Sequence, residues 1–193
     1  SILGLSPYQG GKPIEELARE LGLTKISKLA SNENPLGISS KVKKAINDSL
    51  SSINRYPDGN CFELKKAITT KHNVIPEMIS LGNGSNELLE LIARVFVSKQ
   101  SDEVIFSQYA FVVYPLVTQA LGATAVVSPA KNFGHDLDSM LSMITTNTKL
   151  IFVANPNNPT GTLLTDKKVY NFLKQVPEGI PVVLDQAYFE YLN

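Results

Sequence analysis

The segment Ala154-Asn155-Pro156-Asn157-Asn158-Pro159-Thr160-Gly161 decides how the rest of the chain is interpreted. The apolar residues 150–153 that precede it predict a buried strand. Its prolines and its glycine predict a tight turn, and Pro159 restricts Asn158 to an extended backbone. Because ligands of α/β proteins bind at the carboxyl ends of strands, we expect the Asn158 amide to face a ligand. A turn made of common turn residues is the alternative interpretation.

The composition limits the possible partners of the chain. Its 193 residues suffice for one domain of ordinary size or slightly more. The 18 basic residues equal the 18 acidic ones, which argues against nucleic acid as a partner. The single cysteine, Cys61, cannot form a disulfide within the chain, so we expect a reducing compartment, the cytoplasm. No apolar run approaches the roughly 20 residues of a membrane helix, so no membrane partner is predicted.

The pattern of apolar residues changes near residue 75. Before it, the sequence predicts a helix at 13–21, a short strand at 26–30, a helix through Val42 and Ile46, and a third helix capped by Asn60 with Glu63. After it, strands predicted at 78–81, 103–107, 125–128, 150–153 and 182–185 alternate with helices predicted at 85–97, up to 121, at 137–144 and at 165–176. Pro115 predicts a kink or a late start in the helix that ends at 121. The alternation predicts an α/β fold whose mostly parallel sheet is covered by helices on both faces.

Residues 82–87, Gly-Asn-Gly-Ser-Asn-Glu, join a predicted strand to a predicted helix. The free N–H groups and the dipole of a helix start favour a phosphate there, and Ser85 adds a hydroxyl donor. The segment is also the first half of a dinucleotide fingerprint, although Glu87 replaces its third glycine. A phosphate site for a different cofactor and a simple glycine turn with a serine cap are the other interpretations.

Three further side chains follow predicted strands. Tyr109 comes after the strand at 103–107, where an aromatic ring can stack on a flat ligand or pack in the core. Asp185 ends the strand at 182–185, where a carboxylate needs a partner, either a protonated ring nitrogen or the start of the next segment. Tyr188 lies close by and can donate to a phenolic oxygen. With Asn158 and Ser85, these residues make a set that can hold pyridoxal phosphate, whose pyridine nitrogen a carboxylate keeps protonated.

The histidines do not predict a metal site. His72 and His135 are far apart in the sequence, and no cluster of cysteine and histidine occurs. His135 stands beside Asp136, and we interpret it as a residue at the start of a helix.

Several motifs of the chain resemble those of the fold-type-I pyridoxal-phosphate aminotransferases, most closely those of the histidinol-phosphate branch. The motifs are residues 31–37 (SNENPLG), 55–59 (RYPDG), 82–87 (GNGSNE), 156–161 (PNNPTG) and 184–188 (LDQAY). The asparagine–proline turn and the aspartate strand are typical of the superfamily, and the N-terminal motifs indicate the branch. The resemblance runs from Pro7 to the end of the chain and implies an aspartate-aminotransferase-like large domain.

The resemblance implies that the cofactor is pyridoxal 5'-phosphate and gives each side chain a role toward it. Asp185 would pair with the pyridine nitrogen, and Asn158 and Tyr188 would bind the phenolate oxygen. These three would be the catalytic residues of the chain. Tyr109 would stack on the ring.

The resemblance also implies how the cofactor phosphate and the substrate would be held. Ser85 and Asn86 would hold the phosphate, and Tyr56 would reach the cofactor phosphate of the neighbouring subunit, which implies a homodimer. The residues expected near the substrate are Tyr8, Glu33 and Asn34.

The implied reaction moves an amino group between L-histidinol phosphate and 2-oxoglutarate in histidine biosynthesis. Residues 1–50 would form an N-terminal arm and part of a small domain, and residues 51–193 would begin the large domain. The Schiff-base lysine of the family would lie beyond Asn193, so we expect the 193 residues to be part of a longer enzyme and to lack transaminase activity alone. Gln186 departs from the glutamate that is common in the family.

Other functions remain open from the sequence. A Rossmann-type oxidoreductase would use Gly82-Asn83-Gly84 and the acidic pair Asp102-Glu103, but it leaves Asn158 and Asp185 unexplained. A non-catalytic protein could keep the cofactor pocket without the lysine. Within the same fold, an aromatic amino-acid aminotransferase or a threonine-phosphate decarboxylase would use the same cofactor frame.

Overall fold

The computed structural model describes Gly4 and residues 10–192. Contacts divide these residues into two compact units, one of residues 10–80 and one of residues 81–192 with Gly4. The division lies close to residue 75, where the sequence pattern changes. The assignment of residues 1–50 and 51–193 to different domains of a whole enzyme stays a prediction.

Helices form the regular part of the N-terminal unit. They are α1 (Ile14–Leu21), α2 (Ser40–Ser49) and α3 (Phe62–His72), with 3₁₀ turns at Leu50–Ser52 and Pro76–Met78. Helix α1 ends where Gly22 adopts a φ of 64°, the left-handed conformation that glycine tolerates. The strand predicted at 26–30 is wrong, because no described strand lies beside these residues to pair with their backbone groups.

Asp58, and not Asn60, caps helix α3. Its Oδ2 accepts from the Phe62 N–H at 3.0 Å, and its Oδ1 accepts from the Asn60 N–H at 2.9 Å. These two donors lower the pKa of Asp58. Cys61 precedes the helix with a φ of 51°, and its side chain makes no capping bond. The predicted Asn60 cap is therefore wrong, because the chain turns once more before the helix begins.

Strands and helices alternate in the C-terminal unit. The strands are β1 (Glu103–Ser107), β2 (Thr124–Ser128), β3 (Ala130–Lys131), β4 (Gly134–His135), β5 (Thr148–Ala154) and β6 (Val182–Asp185). The helices are α4 (Gly84–Phe96), α5 (Val113–Ala120), α6 (Leu137–Ser142) and α7 (Asp166–Leu173), and a 3₁₀ turn spans Phe189–Tyr191. None of the described helices combines the length and the apolar character that a membrane crossing needs.

The main sheet has the order β2-β1-β5-β6, and all of its strand pairs are parallel. Strands β3 and β4 form a separate antiparallel hairpin. The predicted α/β fold with a mostly parallel sheet is confirmed.

Two predicted elements of this region are wrong. Residues 78–81 do not form a strand, because Met78 closes a 3₁₀ turn and no described strand pairs with the residues after it. His135 belongs to β4, and Asp136 instead caps α6 by accepting from the Ser139 N–H at 3.2 Å. Pro115 is the third residue of α5, so of the two predicted alternatives the late start is correct.

Successive residues of the central strands β1 and β5 point to opposite faces of the sheet. On one face, the buried side chains of Val104, Phe106, Leu150 and Phe152 pack with those of α4 and α5. On the other face, the buried side chains of Ile105, Ile151 and Val153 pack with Met140 of α6 and Phe172 of α7. Helices thus cover both faces of the sheet.

We expect Ile151→Ala to lower the free energy of unfolding by about 2–5 kcal/mol, because it leaves a cavity in the face that α6 and α7 cover. Ile151→Val is the matched control and should cost about 0.5–1.5 kcal/mol. Urea unfolding of the protein measures both values. Equal costs for the two variants would contradict the tight packing of this face.

Candidate active site

The carboxyl ends of β5 and β6 place the turn and the aspartate side by side. Ala154 of β5 pairs with Asp185 of β6, and the Asn155 N–H donates to the Asp185 carbonyl at 2.9 Å. The turn therefore begins directly beside the residue that carries the carboxylate. This edge of the sheet is where the sequence predicts a ligand.

Asn155 closes the loop that leaves β5. Its side-chain Nδ2 donates to the Leu164 carbonyl at 3.0 Å, and its Oδ1 accepts from the Leu164 N–H at 2.8 Å. The residue is buried, so both bonds satisfy polar atoms that water cannot reach. These bonds fix the two ends of the loop, which contains cis peptide bonds before Pro156 and Pro159.

Asn157 ties the same loop to the end of β1. Its Nδ2 donates to the Tyr109 carbonyl at 2.9 Å and to the Thr160 Oγ1 at 2.7 Å. The side chain is 4% exposed, so it supports the loop from inside and does not face a ligand. Sequence reasoning missed Asn155 and Asn157, because every asparagine in a proline-rich segment looks like a turn residue.

Asn158 and Tyr188 come together as predicted. The Asn158 Nδ2 lies 3.3 Å from the Tyr188 hydroxyl and donates to it. Both residues are half-buried, and they follow the neighbouring strands β5 and β6. An amide and a phenol are thus available beside one another to bind an oxygen of a ligand.

Asp185 has a partner that the sequence did not predict. Its Oδ2 accepts from the Tyr114 hydroxyl at 2.8 Å, and its Oδ1 accepts from the Ala187 N–H at 3.1 Å. Tyr114 lies on α5 in an apolar stretch, so its pattern indicates only a core residue. The sequence did contain a signal for this contact: Tyr114 stands among apolar residues, and the hydroxyl of a buried tyrosine usually has a hydrogen-bond partner.

Tyr109 lies just beyond the end of β1, and the residue is 38% exposed. The ring centroid is 5.6 Å from that of Phe133, with an angle of 34° between the planes. Its carbonyl is the group that Asn157 binds. An exposed ring whose backbone is fixed can stack on a flat ligand, and that role stays a prediction.

Ser85 and Asn86 lie in the first turn of α4, which begins at Gly84, and both are exposed. The Asn83 N–H donates to the Glu87 carboxylate, and the Gly84 N–H donates to the Gly82 carbonyl. The N–H groups of Ser85 and Asn86 belong to the helix start, where intrahelical acceptors are absent. This start suits an anion, although the carboxylate of Glu87 binds nearby backbone.

Other predicted site residues belong to the N-terminal unit, which is described by itself. Tyr56 is fully exposed. Glu33 forms an ion pair with Lys28 at 2.5 Å. The Asn34 side chain accepts from the Leu36 N–H at 3.0 Å and donates to the Gly37 carbonyl at 3.3 Å, so it holds its own loop together. Tyr8 lies outside the described residues.

The acidic pair that favoured a Rossmann-type site lies at the opposite end of the sheet. Asp102 precedes β1 and accepts from the N–H groups of Ser98 and Lys99 at 2.8 and 2.9 Å, which lower its pKa. Glu103, the first residue of β1, accepts from the Thr145 hydroxyl at 2.6 Å. Because dinucleotides bind at the carboxyl ends of strands, this pair cannot serve the predicted ribose contact.

His135 is buried behind the turn. Its Nε2 donates to the Ala154 carbonyl at 2.8 Å, so the neutral ring carries its proton on Nε2. Its Nδ1 and the Oδ1 of Asn157 have no hydrogen-bond partner among the described residues. Burial lowers the pKa of His135, and the Ala154 carbonyl and the Asn157 side chain oppose that shift.

A cavity of about 500 Å³ is lined in part by Lys131, His135, Asp136 and Lys168. It contains none of the residues predicted to bind the cofactor. In the described part of the chain, no group of three or more His, Cys, Asp or Glu side chains could hold a metal ion.

Proteins of known family are similar to this chain over almost its whole length. The sequence profile of the family described as aminotransferase class I and II matches residues 24–192. Histidinol-phosphate aminotransferase 1 of Mannheimia succiniciproducens is 58% identical over 190 residues, which are 98% of this chain and 52% of that protein. The histidinol-phosphate aminotransferase of Methylobacillus flagellatus is 54% identical over 100% of this chain and 52% of its own length. The chain thus spans about half the length of the curated relatives it matches.

Solved structures share the fold. The histidinol-phosphate aminotransferase of Sinorhizobium meliloti, crystallised in complex with pyridoxal-5'-phosphate, matches with a TM-score of 0.87 at 27% identity. The match covers 98% of this chain and 50% of that one. An aspartate aminotransferase mutant of Thermus thermophilus matches with a TM-score of 0.71 at 25% identity, over 81% of this chain and 46% of that one. These matches confirm the predicted aspartate-aminotransferase-like fold.

We expect the protein to lose stability as the pH falls from about 7.5 to about 5.5, because the unfolded chain takes up a proton on His135 that the folded chain resists. His135→Gln should lose less stability over this interval, since a glutamine amide can donate to the Ala154 carbonyl without titrating. Urea unfolding of both proteins at the two pH values measures the difference. An equal loss in both would contradict the role of His135.

Proposed function

The chain belongs to the class I and II aminotransferases, and from this membership we propose that it forms the N-terminal portion of a pyridoxal-phosphate-dependent enzyme. The proposed reaction transfers an amino group between L-histidinol phosphate and 2-oxoglutarate. The observation that carries the proposal is the edge of the sheet where the Asp185 carboxylate stands beside the turn that presents Asn158 to Tyr188.

The side chains at this edge fit the polar groups of pyridoxal phosphate. Each oxygen of Asp185 has one donor within the chain and a second lone pair, so the carboxylate can accept from a protonated ring nitrogen. The Asn158 amide and the Tyr188 hydroxyl can donate to an oxyanion. The Ser85 hydroxyl and the first N–H groups of α4 suit a phosphate.

When bound, pyridoxal phosphate supplies a ring that accepts electrons from the reacting carbon. Asp185 holds a proton on the ring nitrogen, which keeps the ring electron-deficient. Asn158 and Tyr188 stabilise negative charge on the phenolic oxygen. Tyr109 covers a face of the ring and fixes its orientation, while Ser85 and Asn86 hold the phosphate.

The names of the relatives support L-histidinol phosphate as the proposed substrate. The proteins that are 53–58% identical over nearly the whole chain are histidinol-phosphate aminotransferases. By this likeness Glu33 and Asn34, with Tyr8, approach the substrate, and the enzyme works in histidine biosynthesis in the cytoplasm. The amino donor and the 2-oxo acid are small molecules that bind in turn at one site.

A homodimer completes the proposed site. Tyr56 lies in the Arg-Tyr-Pro turn with its side chain fully exposed, so it is available to a second subunit. The proposed role of this hydroxyl is to donate to the cofactor phosphate in the partner's site. In a symmetric dimer each subunit then supplies one tyrosine to the other.

Substrate choice separates the proposal from its alternatives. We expect the complete enzyme to transfer the amino group of L-histidinol phosphate to 2-oxoglutarate with a kcat/KM at least about a hundredfold above that for phenylalanine. The reason is that the polar groups that bind the substrate's phosphate would be left unpaired by phenylalanine, which has none. Coupled assay of the glutamate formed gives both values. A preference for phenylalanine would indicate an aromatic aminotransferase, and release of CO₂ from threonine phosphate would indicate a decarboxylase.

We expect Tyr56→Ala and Asp185→Ala homodimers each to lose most of their activity, and mixtures of the two to regain it. In a heterodimer, one site combines the intact Tyr56 of one subunit with the intact Asp185 of the other. Random exchange makes half of the dimers mixed, so activity should return to about a quarter of wild type. The assay is transamination after subunit exchange.

The control is a mixture of the Asp185→Ala protein with Asn158→Ala protein. Both of these residues lie in one unit and are proposed to act in the same site, so every site of the mixture lacks one of them. If the mixture of Tyr56→Ala and Asp185→Ala proteins regains no activity, the proposal that Tyr56 acts in the partner's site is contradicted.

A further inference from the structure

Tyr114 is a fully buried tyrosine whose ring is fixed by aromatic neighbours. The ring stacks on Phe152 of β5, with centroids 4.6 Å apart and planes within 3°. Phe111 packs against it edge to face at 5.9 Å. Because both contacts orient the ring, the core of the sheet decides where its hydroxyl lies.

The hydroxyl of Tyr114 forms a hydrogen bond with Asp185, which is 71 residues further along the chain. It donates to Oδ2 at 2.8 Å, while the Ala187 N–H donates to Oδ1 at 3.1 Å. Donors on both oxygens fix the rotation of the carboxylate. A phenylalanine would fill the same space beside Phe152, so the hydroxyl is the part of Tyr114 that packing does not require.

The hydrogen bond has one direction. Burial raises the pKa of Tyr114, and the charge of Asp185 and the hydrogen bond to it raise that pKa further. The phenol therefore stays protonated at neutral pH and donates to the carboxylate. Hydrogen bonds to an ionised group are the stronger kind, so this contact can orient a half-buried side chain.

We propose that Tyr114 is a positioning residue of the proposed site: its hydroxyl orients the Asp185 carboxylate toward the ring nitrogen of the cofactor. This inference rests on the proposed function. Tyr114 acts through Asp185 and fixes the oxygen that receives the ring N–H. Loss of the hydroxyl leaves the Ala187 N–H as the one described donor to the Asp185 carboxylate, whose orientation is then less well fixed.

Tyr114→Phe in the complete enzyme tests the proposal. We expect the dissociation constant of pyridoxal phosphate to rise about tenfold, which corresponds to about 1.4 kcal/mol, as for a lost bond to a charged group. The value of kcat should fall while the KM for the amino donor stays within about twofold, since no substrate contact changes. Titration of the apoenzyme with pyridoxal phosphate, followed by absorbance, measures the affinity without any turnover.

Thr118→Val is the matched control. Thr118 is also fully buried on α5, and its hydroxyl donates to the Tyr114 carbonyl at 2.8 Å, so this variant loses one buried hydroxyl and one hydrogen bond without touching Asp185. It should lose stability and keep the wild-type affinity for pyridoxal phosphate. If both variants weaken cofactor binding equally, Tyr114 acts through the stability of the helix and the proposal is overturned.

A double-mutant cycle with Asp185→Asn tests the path through the aspartate. If Tyr114 acts by orienting that carboxylate, Tyr114→Phe should weaken cofactor binding far less in the Asp185→Asn background than in the wild type. Additive effects would overturn the proposal. The ¹⁵N chemical shift of the ring nitrogen in labelled, bound pyridoxal phosphate should move in Tyr114→Phe and stay unchanged in Thr118→Val.

The two proposals fail in different ways. A wild-type enzyme that does not bind pyridoxal phosphate overturns the proposed function, and the role of Tyr114 with it. A wild-type enzyme that binds the cofactor while Tyr114→Phe keeps its affinity and kcat overturns the role of Tyr114 alone.

Discussion

The parallel pairing of β5 with β6 is the constraint on which the candidate site depends. It places Ala154 opposite Asp185 and lets the Asn155 N–H bind the Asp185 carbonyl, so the turn starts beside the carboxylate. The pairing is fixed because residues 150–154 are buried between helices on both faces. A slip of one residue would send each side chain of β6 to the other face. Asp185 would then turn away from Tyr114, and the edge would lose its carboxylate.

The three asparagines of the turn after β5 have two different roles. Asn155 and Asn157 are buried, and their side-chain amides donate hydrogen bonds to the backbone carbonyls of Leu164 and Tyr109. A buried amide costs free energy unless it is bonded, and these bonds offset that cost while they join the two ends of the loop and tie the loop to the segment after β1. Asn158 is thereby left to point at Tyr188. Among the residues that the structure describes, the Oδ1 of Asn157 has no hydrogen-bond donor, so its burial still costs free energy. The neutral ring of His135 cannot donate to it, because its one proton goes to the Ala154 carbonyl.

The sequence predicted the parallel sheet and most of its helices, because alternating apolar segments report burial directly. It also predicted that Asn158 and Tyr188 meet, since both follow buried strands. It failed where a local pattern depends on a distant partner. Residues 78–81 look like a strand but have no described strand to pair with. His135 looks like a helix start, but it pairs with Ala130 in the hairpin of β3 and β4, and its side chain binds the Ala154 carbonyl of β5.

The order of the strands explains why single motifs could not identify the site. The contacts that build it join residues 30, 48 and 71 positions apart, from Asn158 to Tyr188, from Asn157 to Tyr109 and from Tyr114 to Asp185. Each contact exists because β5 lies between β1 and β6, an order that the sequence does not state. Because β1, β5 and β6 run parallel, Asp102 and Glu103 lie at the amino end of β1, opposite to the carboxyl ends where Asp185 lies. A motif such as residues 82–87 is compatible with a dinucleotide or with another phosphate, and the neighbours that the sheet provides decide between them.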